Sequence, residues 1–134
     1  MQQEAIKLPI GQPVHPLVVA IVDDDAAVRG SLKFVLELEG FVVRAYGSAA
    51  ELMAAGGVGS YDCLVIDQVM PHLSGMELIT NLRSQKVTTP AILLVSELTA
   101  ALSARAAAAD IPIIEKPLFG NALFDAIRRA CRCD

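Results

Sequence analysis

Acidic, hydroxyl and amine side chains stand directly after predicted β-strands, and these residues could carry out chemistry. The run Asp23–Asp25 follows an apolar stretch at 17–22, and Asp67 follows another at 63–66. Later strand ends supply Ser96, Glu97, Glu115 and Lys116. In a parallel sheet the carboxyl ends of the strands lie at one edge, where functional groups collect. We therefore expect these side chains to converge there.

This combination of side chains suits a divalent cation and phosphoryl transfer. Clustered carboxylates disfavour joint ionisation unless a cation relieves the repulsion. Mg²⁺ prefers oxygen ligands and is commonly held by one or two carboxylates together with phosphate oxygens. An aspartate beside it can act as a nucleophile and form an acyl phosphate, and a lysine can neutralise charge on the transferring oxygens. Asp25 alone reads more simply as a turn or helix N-cap residue.

The elements that position these residues are predicted from alternating apolar runs and helical periodicity. Such alternation indicates βα units around a parallel sheet. The predicted strands are 17–22, 41–46, 63–66, 91–95 and 111–114. The predicted helices begin near residues 26, 48, 76, 99 and 121. We expect a doubly wound, α/β fold with a five-stranded parallel sheet flanked by five helices.

Helical periodicity also predicts which helix faces point to the core. In the first helix, 26–39, the apolar residues form the predicted core-facing stripe Val28, Leu32, Phe34, Val35 and Leu38. In the third helix, the predicted inward residues are Met76, Ile79 and Leu82. In the last, 121–132, they are Leu123, Ile127 and Ala130.

Length and composition limit the class of protein. A chain of 134 residues, 54% hydrophobic and 19% charged, suits one domain with one core. Its net charge of −4 and the lack of a Lys/Arg run argue against direct nucleic-acid contact by this segment. Apolar runs are too short to span a membrane, and the N-terminus does not resemble a signal peptide. We expect a cytoplasmic domain over 17–132, preceded by an extended leader or cloning remnant over 1–16.

The three cysteines form an odd set. Cys63 lies in an apolar run, whereas Cys131 and Cys133 stand at the predicted end of the last helix. The spacing favours buried or idle thiols over a metal site or a disulfide.

Three short motifs together resemble a known family. They are Ile21-Val22-Asp23-Asp24-Asp25, then Asp67 followed by Met70-Pro71 and Ser74-Gly75, then Glu115-Lys116-Pro117. In this order they resemble the receiver domain of two-component response regulators, over about 17–131. The resemblance implies a flavodoxin-like (βα)5 fold.

The resemblance also implies a role for each matching residue. Asp67 would be the phosphoacceptor, and Asp24 and Asp67 would ligate Mg²⁺ directly. Asp23 would act largely through metal-bound water, and the carbonyl of Val69 would complete the protein ligands. Lys116 would contact the phosphoryl group. The donor would be a histidine kinase or a phosphotransfer protein.

Two positions depart from the pattern of that family. Receivers usually place Ser or Thr five residues after a proline like Pro90, where this chain has Val95 and then Ser96. We expect Ser96 to supply the hydroxyl, and whether Val95 or Ser96 occupies the switch position stays open. An aromatic residue usually stands three before the lysine, where this chain has Ile113.

The expected function is a signalling switch with self-directed phosphorylation and dephosphorylation chemistry, not an enzyme acting on other substrates. Phosphorylation would alter dimerisation through the fourth helix, fifth strand and fifth helix, or contact with an effector domain or downstream protein. One alternative is a degenerate receiver that binds partners independently of phosphorylation, favoured by Val95 and Ile113. Another is a phosphatase with an aspartyl nucleophile, although Val69 stands where such enzymes commonly place a second acid.

Overall fold

The structure is a computed structural model that describes residues 15–118 and 120–131. Its strands are β1 (Val18–Val22), β2 (Val42–Tyr46), β3 (Cys63–Asp67), β4 (Ala91–Val95) and β5 (Ile113–Glu115). Its helices are α1 (Ala26–Leu38), α2 (Ala49–Ala55), α3 (Gly75–Ser84), α4 (Ala100–Ala108) and α5 (Ala122–Ala130). A short 3₁₀ turn, Val58–Ser60, lies in the connection before β3, where the sequence predicted only a flexible link.

All strand pairs are parallel, and the strand order is β2-β1-β3-β4-β5. The predicted fold of five parallel strands and five helices is confirmed for the described residues. The chain proceeds from β1 outward to β2 and then returns to add β3 on the other side of β1. This reversal leaves a crevice at the carboxyl ends of β1 and β3, where ligands bind in open α/β sheets.

Helices cover both faces of the sheet. On one face, side chains of β1, β3 and β4 pack against α2, α3 and α4 through Leu52, Ile79 and Leu102. On the other face, the alternate side chains pack against α1 and α5 through Leu36 and Ile127. Every residue of β3 and β4 is buried. Apart from Asp67 at the end of β3, these two strands are apolar, as a sheet buried on both faces requires.

Side-chain caps fix where the helices begin. Asp25 caps α1 by accepting hydrogen bonds from the backbone N–H groups of Ala27 and Val28, so its interpretation as an N-cap is confirmed. Ser48 caps α2, as predicted. Ser74 caps α3 in a reciprocal box with Glu77. Each cap satisfies N–H groups that a helix leaves without an internal partner.

The predicted core-facing stripe of α1 is wrong in part. Leu32 and Leu36 are buried, but Phe34 is 63% exposed and Leu38 is 72% exposed. Val35 is also largely accessible. The helix is apolar on two adjacent faces, and only one of them can face the sheet. By contrast, the predicted inward residues of α3 are all buried.

Most of the predicted leader, residues 1–14 of 1–16, lies outside the described residues. Cys133 at the other end also lies outside them. None of the helices in the described part of the chain is long and apolar enough to cross a membrane.

Candidate functional site

Three carboxylates meet in the crevice between β1 and β3. Val22 pairs with Ile66 in the parallel register, so Asp23 and Asp67 each follow directly after paired residues. Carboxylate oxygens of Asp23, Asp24 and Asp67, one from each, all lie within 4.8 Å of one another. Asp23 and Asp67 are buried, whereas Asp24 is exposed. The predicted convergence of these side chains is what the structure shows.

Lys116 reaches the same carboxylates from the end of β5. Its Nζ lies 2.8 Å from Asp67 Oδ1 and 3.6 Å from Asp23 Oδ2. The backbone N–H of Lys116 donates to the carbonyl of Val95, which holds the residue beside β4. One ammonium group thus faces two of the three acids.

The buried oxygen Asp23 Oδ2 fits a cation at this site. Among the described residues it has no hydrogen-bond partner, because the Lys116 ammonium at 3.6 Å is within ion-pair range but too distant for a hydrogen bond. A buried carboxylate oxygen without a partner is costly. Three carboxylate oxygens in a small cluster are a suitable donor set for a hard divalent ion such as Mg²⁺. The acidic pocket can therefore bind a metal.

Burial and neighbouring charges shift the pKa of the two contacting groups. Burial raises the pKa of the Asp67 carboxyl above its usual value, Asp23 and Asp24 raise it further, and the contact with Lys116 opposes the rise. Burial lowers the pKa of the Lys116 ammonium, but its contacts with Asp67 and Asp23 outweigh this and raise it overall. Asp67 is thus a partly desolvated carboxyl beside a firmly protonated lysine.

A sequence model of the response regulator receiver domain matches residues 19–128 of the chain. The chain belongs to the response regulator receiver domain family. It is also 38% identical over 114 residues to the transcriptional regulatory protein FixJ of Rhizobium meliloti, a match covering 84% of this chain and 55% of FixJ. FixJ of Azorhizobium caulinodans is 36% identical over 124 residues, with 90% and 56% covered. The chain thus spans about half the length of these relatives.

Solved structures of receivers have the same architecture. A crystal structure of FixJ-N superimposes with a TM-score of 0.78 at 34% identity, covering 88% of this chain and 95% of that one. A structure of the Vibrio cholerae chemotaxis protein CheY4 gives a TM-score of 0.77 at 23% identity, with 86% and 98% covered. At that identity the second likeness shows the fold alone. This chain is a receiver domain of a two-component response regulator, which is a signalling domain.

The backbone around Asp23 in this receiver is held by two further contacts. The N–H of Asp25 donates to Asp23 Oδ1 at 3.0 Å. The guanidinium of Arg29 in α1 donates to the Asp23 carbonyl at 2.7 Å. Sequence reasoning missed Arg29, although its position one turn into the helix after three aspartates was a signal for such a contact.

Gly75, the first residue of α3, lies against the backbone of the receiver's Asp67. A Cβ at position 75 would lie 2.6 Å from the Asp67 carbonyl oxygen and 2.7 Å from Leu93 Cδ1. Gln68 anchors the same turn, because its side-chain oxygen accepts from the N–H of Met76 at 2.8 Å. The glycine therefore permits a close approach that sets the position of Asp67.

The acidic cluster consists of Asp23, Asp24 and Asp67, and two further predicted site residues, Ser96 and Val69, are not part of it. Val95 ends β4 and is buried in the hydrophobic core. Ile113 packs against the same hydrophobic core. Ser96 is exposed, and its hydroxyl makes no hydrogen bond to another described residue. Val69 lies in the loop after β3 with its side chain 71% exposed. The proposed roles of the Ser96 hydroxyl and the Val69 carbonyl stay predictions.

Proposed function

We propose that this receiver accepts a phosphoryl group on Asp67 from a histidine kinase or phosphotransfer protein, in a reaction that requires Mg²⁺. The observation that carries the proposal is the contact of Lys116 Nζ with Asp67 Oδ1 at 2.8 Å, inside a cluster of three carboxylates. One carboxylate oxygen is thus oriented by an ammonium while a cation site lies beside it. That arrangement positions a nucleophile and supplies positive charge on either side of it, as phosphoryl transfer requires.

Mg²⁺ would be held by Asp24 and Asp67 directly, by Asp23 largely through water, and by the carbonyl of Val69. When bound, it supplies charge neutralisation on the phosphoryl oxygens. Asp67 provides the attacking oxygen, the P–N bond of the donor's phosphohistidine breaks and its imidazole leaves, and Asp67 becomes an acyl phosphate. Hydrolysis of that acyl phosphate by water returns the free carboxylate, so the chemistry is directed at the domain itself.

Lys116 and Ser96 would stabilise the phosphorylated state. Once Asp67 is esterified, the Lys116 ammonium loses its carboxylate partner and can pair with a phosphoryl oxygen. Ser96, one residue beyond the buried end of β4, offers a hydroxyl as a second donor. The movement of these two groups would connect the site to β4 and β5, and hence to the face formed by α4, β5 and α5.

The donor protein has a suitable contact surface on α1. Phe34 and Leu38 expose apolar side chains there, and Val35 beside them borders a groove that continues to Lys116 and Pro117. Exposed apolar residues grouped on one helix face indicate a protein contact. A donor whose phosphohistidine enters the end of this groove that Lys116 lines would approach Asp67.

Membership of the receiver family also supports a proposal for what phosphorylation changes downstream. The curated relatives are named as transcriptional regulatory proteins and are about one and a half times as long as this chain. We propose that phosphorylation changes dimerisation through α4, β5 and α5, or contact with an effector domain or downstream protein. The alternative of a phosphorylation-independent binding module is less well supported, because the acidic cluster and its lysine are complete.

Labelling with a small phosphodonor tests the proposal without the cognate kinase. The wild-type domain should gain one phosphoryl group from acetyl phosphate in the presence of Mg²⁺, and lose that labelling in EDTA. Asp67→Asn should abolish it. Asp110→Asn is the matched control, since it makes the same change in an exposed acid after α4 and should label normally.

Two results would remove the proposal. Labelling of Asp67→Asn at the wild-type rate would show that another residue is the acceptor. No labelling of the folded wild-type domain at saturating Mg²⁺ would favour the phosphorylation-independent module.

A further inference from the structure

Two free cysteines that are far apart in the sequence lie together at the opposite end of the sheet from the acidic site. Cys63 begins β3 and is fully buried. Cys131 is the residue that ends α5, and it is only partly buried. The sequence favoured buried or idle thiols, and the structure shows both cysteines free, with Cys63 buried. It also brings the two into one place, which the sequence did not predict.

The Cys131 side chain contacts the backbone directly before Cys63. The Cys131 thiol donates to the carbonyl of Asp62 at 3.3 Å, and Asp62 is bonded to Cys63. The Cys63 thiol donates to the carbonyl of Leu64, the next residue of the same strand. Both side chains pack in the same apolar cluster between the sheet and α5. The two cysteines therefore lie against the same short stretch of backbone, at the start of β3.

Solvent reaches one of the two sulfurs. A surface cavity of about 490 Å³ is lined by Cys131 together with Asp62, Pro90 and Ala130. Cys63 does not line it. A small oxidant or alkylating reagent can thus approach Cys131 while Cys63 stays behind it.

The two thiols also differ in acidity in the direction that a stepwise reaction needs. The neighbouring Cys63 thiol lowers the pKa of Cys131, although burial opposes this. The neighbouring Cys131 thiol, together with burial, raises the pKa of Cys63. The accessible sulfur is therefore the one that more readily becomes a thiolate, which is the nucleophilic form.

We propose that Cys63 and Cys131 form an oxidisable dithiol pair that closes to a disulfide between β3 and the end of α5 when exposed to a peroxide. The Cys131 thiolate attacks one peroxide oxygen, the O–O bond breaks, and the departing hydroxide takes a proton to leave as water. Cys131 is then a sulfenic acid. The Cys63 sulfur gives up its proton and attacks Cys131 Sγ, the S–O bond breaks, and a second water leaves.

In sum, two thiols and one peroxide give one disulfide and two waters. The sulfurs lose two electrons and the peroxide oxygens gain them. A dithiol reductant reverses the change by exchange at either sulfur. The bond would fasten the end of α5 to the central strand that carries Asp67.

The test uses the full chain with Cys133→Ser, so that only the two cysteines of the pair remain. The folded protein is treated with one equivalent of hydrogen peroxide, then denatured, alkylated with iodoacetamide and weighed. We expect the loss of two hydrogens per chain and no alkylation. Trypsin should then release peptide 45–83 joined to peptide 130–132, since these carry Cys63 and Cys131. A dithiol reductant should separate them.

Proximity in the fold is tested by the same treatment in denaturant, where intramolecular closure should be about tenfold slower or more.

Cys131→Ser should give no disulfide within one chain, and Cys63→Ala should stop at an oxidised Cys131. Hydrogen exchange at the end of α5 should slow on oxidation of the Cys133→Ser protein. Persistent sulfenic or sulfonic acid at Cys131 beside free Cys63, or disulfides only between chains, would overturn the proposal.

Discussion

Asp24 is the exposed member of three carboxylates whose oxygens lie within 4.8 Å of one another. Ionised together, these groups repel, and a site built for a cation destabilises the fold until the cation binds. Asp24→Asn removes one of the charges and leaves the contacts of Lys116 with Asp67 and Asp23 in place.

We expect Asp24→Asn to raise the melting temperature of the metal-free domain and to remove most of the further rise that Mg²⁺ gives the wild type. Thermal unfolding in EDTA and in Mg²⁺ measures both effects. Asp110→Asn should leave the response to Mg²⁺ unchanged. A variant that is less stable in EDTA, yet still fully stabilised by Mg²⁺, would contradict the assignment of Asp24 as a ligand.

Ser96 is the other residue whose role can be tested alone. If its hydroxyl donates to a phosphoryl oxygen, Ser96→Ala should slow labelling by acetyl phosphate about tenfold, equivalent to roughly 1.4 kcal/mol for a hydrogen bond to a charged acceptor. The stability of the domain should not change, because the hydroxyl is exposed. Ser103→Ala, the same change on the exposed side of α4, is the control. An unchanged labelling rate would exclude Ser96 from the site.

Helix α3 begins against the end of β3, the strand that carries Asp67, and a single glycine permits this close approach. Gly75→Ala would place a methyl group 2.6 Å from the Asp67 carbonyl oxygen, which neither backbone can avoid without shifting. We expect a loss of about 1–3 kcal/mol in the free energy of unfolding, as for overpacked cores. Slower labelling of Asp67 should accompany it.

Gly30→Ala is the matched control in α1, because nothing lies within 4 Å of a Cβ at that position. It should stabilise the helix by about 0.5–1 kcal/mol. Urea unfolding of the two variants side by side gives the comparison. Equal stability of both would show that the chain accommodates a side chain at 75 without moving Asp67.

Helix α1 shows where elements could and could not be predicted from the sequence. Asp25 and the apolar repeat placed its start and length to within one residue. Phe34 and Leu38 were assigned to the core because the periodicity that marks a buried apolar face is the same for an apolar face that stays exposed. Hydrophobic pattern reports residue type, whereas burial depends on which face the sheet covers.

For the whole molecule, metal binding and protonation should compete at Asp67. Burial raises the pKa of this carboxyl above its ordinary value of 3.8, so the metal-free fold holds the proton to higher pH than the unfolded chain does. The contribution of Asp67 to the free energy of unfolding therefore falls as the pH rises from 3.8 through the folded-state pKa. A bound cation needs the deprotonated form and reverses that trend.

Free Mg²⁺ at ten times its dissociation constant for the native domain should stabilise it by about 1.4 kcal/mol near neutral pH. This gain should shrink as the pH falls, and the decline should begin at a higher pH than for an aspartate of ordinary pKa. Denaturant melts with and without Mg²⁺ across a pH series give the difference. A gain that stays constant through the acid range, or that Asp67→Asn retains, would show that the ion binds elsewhere.

Residues that follow parallel strands could be predicted from the sequence to lie close together, but contacts between other distant residues could not. The proximity of Asp23, Asp67 and Lys116 could be predicted because the carboxyl ends of parallel strands lie at one edge of the sheet. The contact of Cys63 with Cys131 could not, since it depends on where the end of α5 lies over the start of β3. No local pattern records the packing of two such distant residues.

Locating the phosphoryl group is the most direct test of the account. The domain is labelled with acetyl phosphate and Mg²⁺, the acyl phosphate is reduced with borohydride, and the digested peptides are sequenced by mass spectrometry. We predict modification of Asp67, with Asp23, Asp24 and Ser96 unmodified. Modification at any of those three residues in place of Asp67, or labelling that proceeds equally in EDTA, would contradict it.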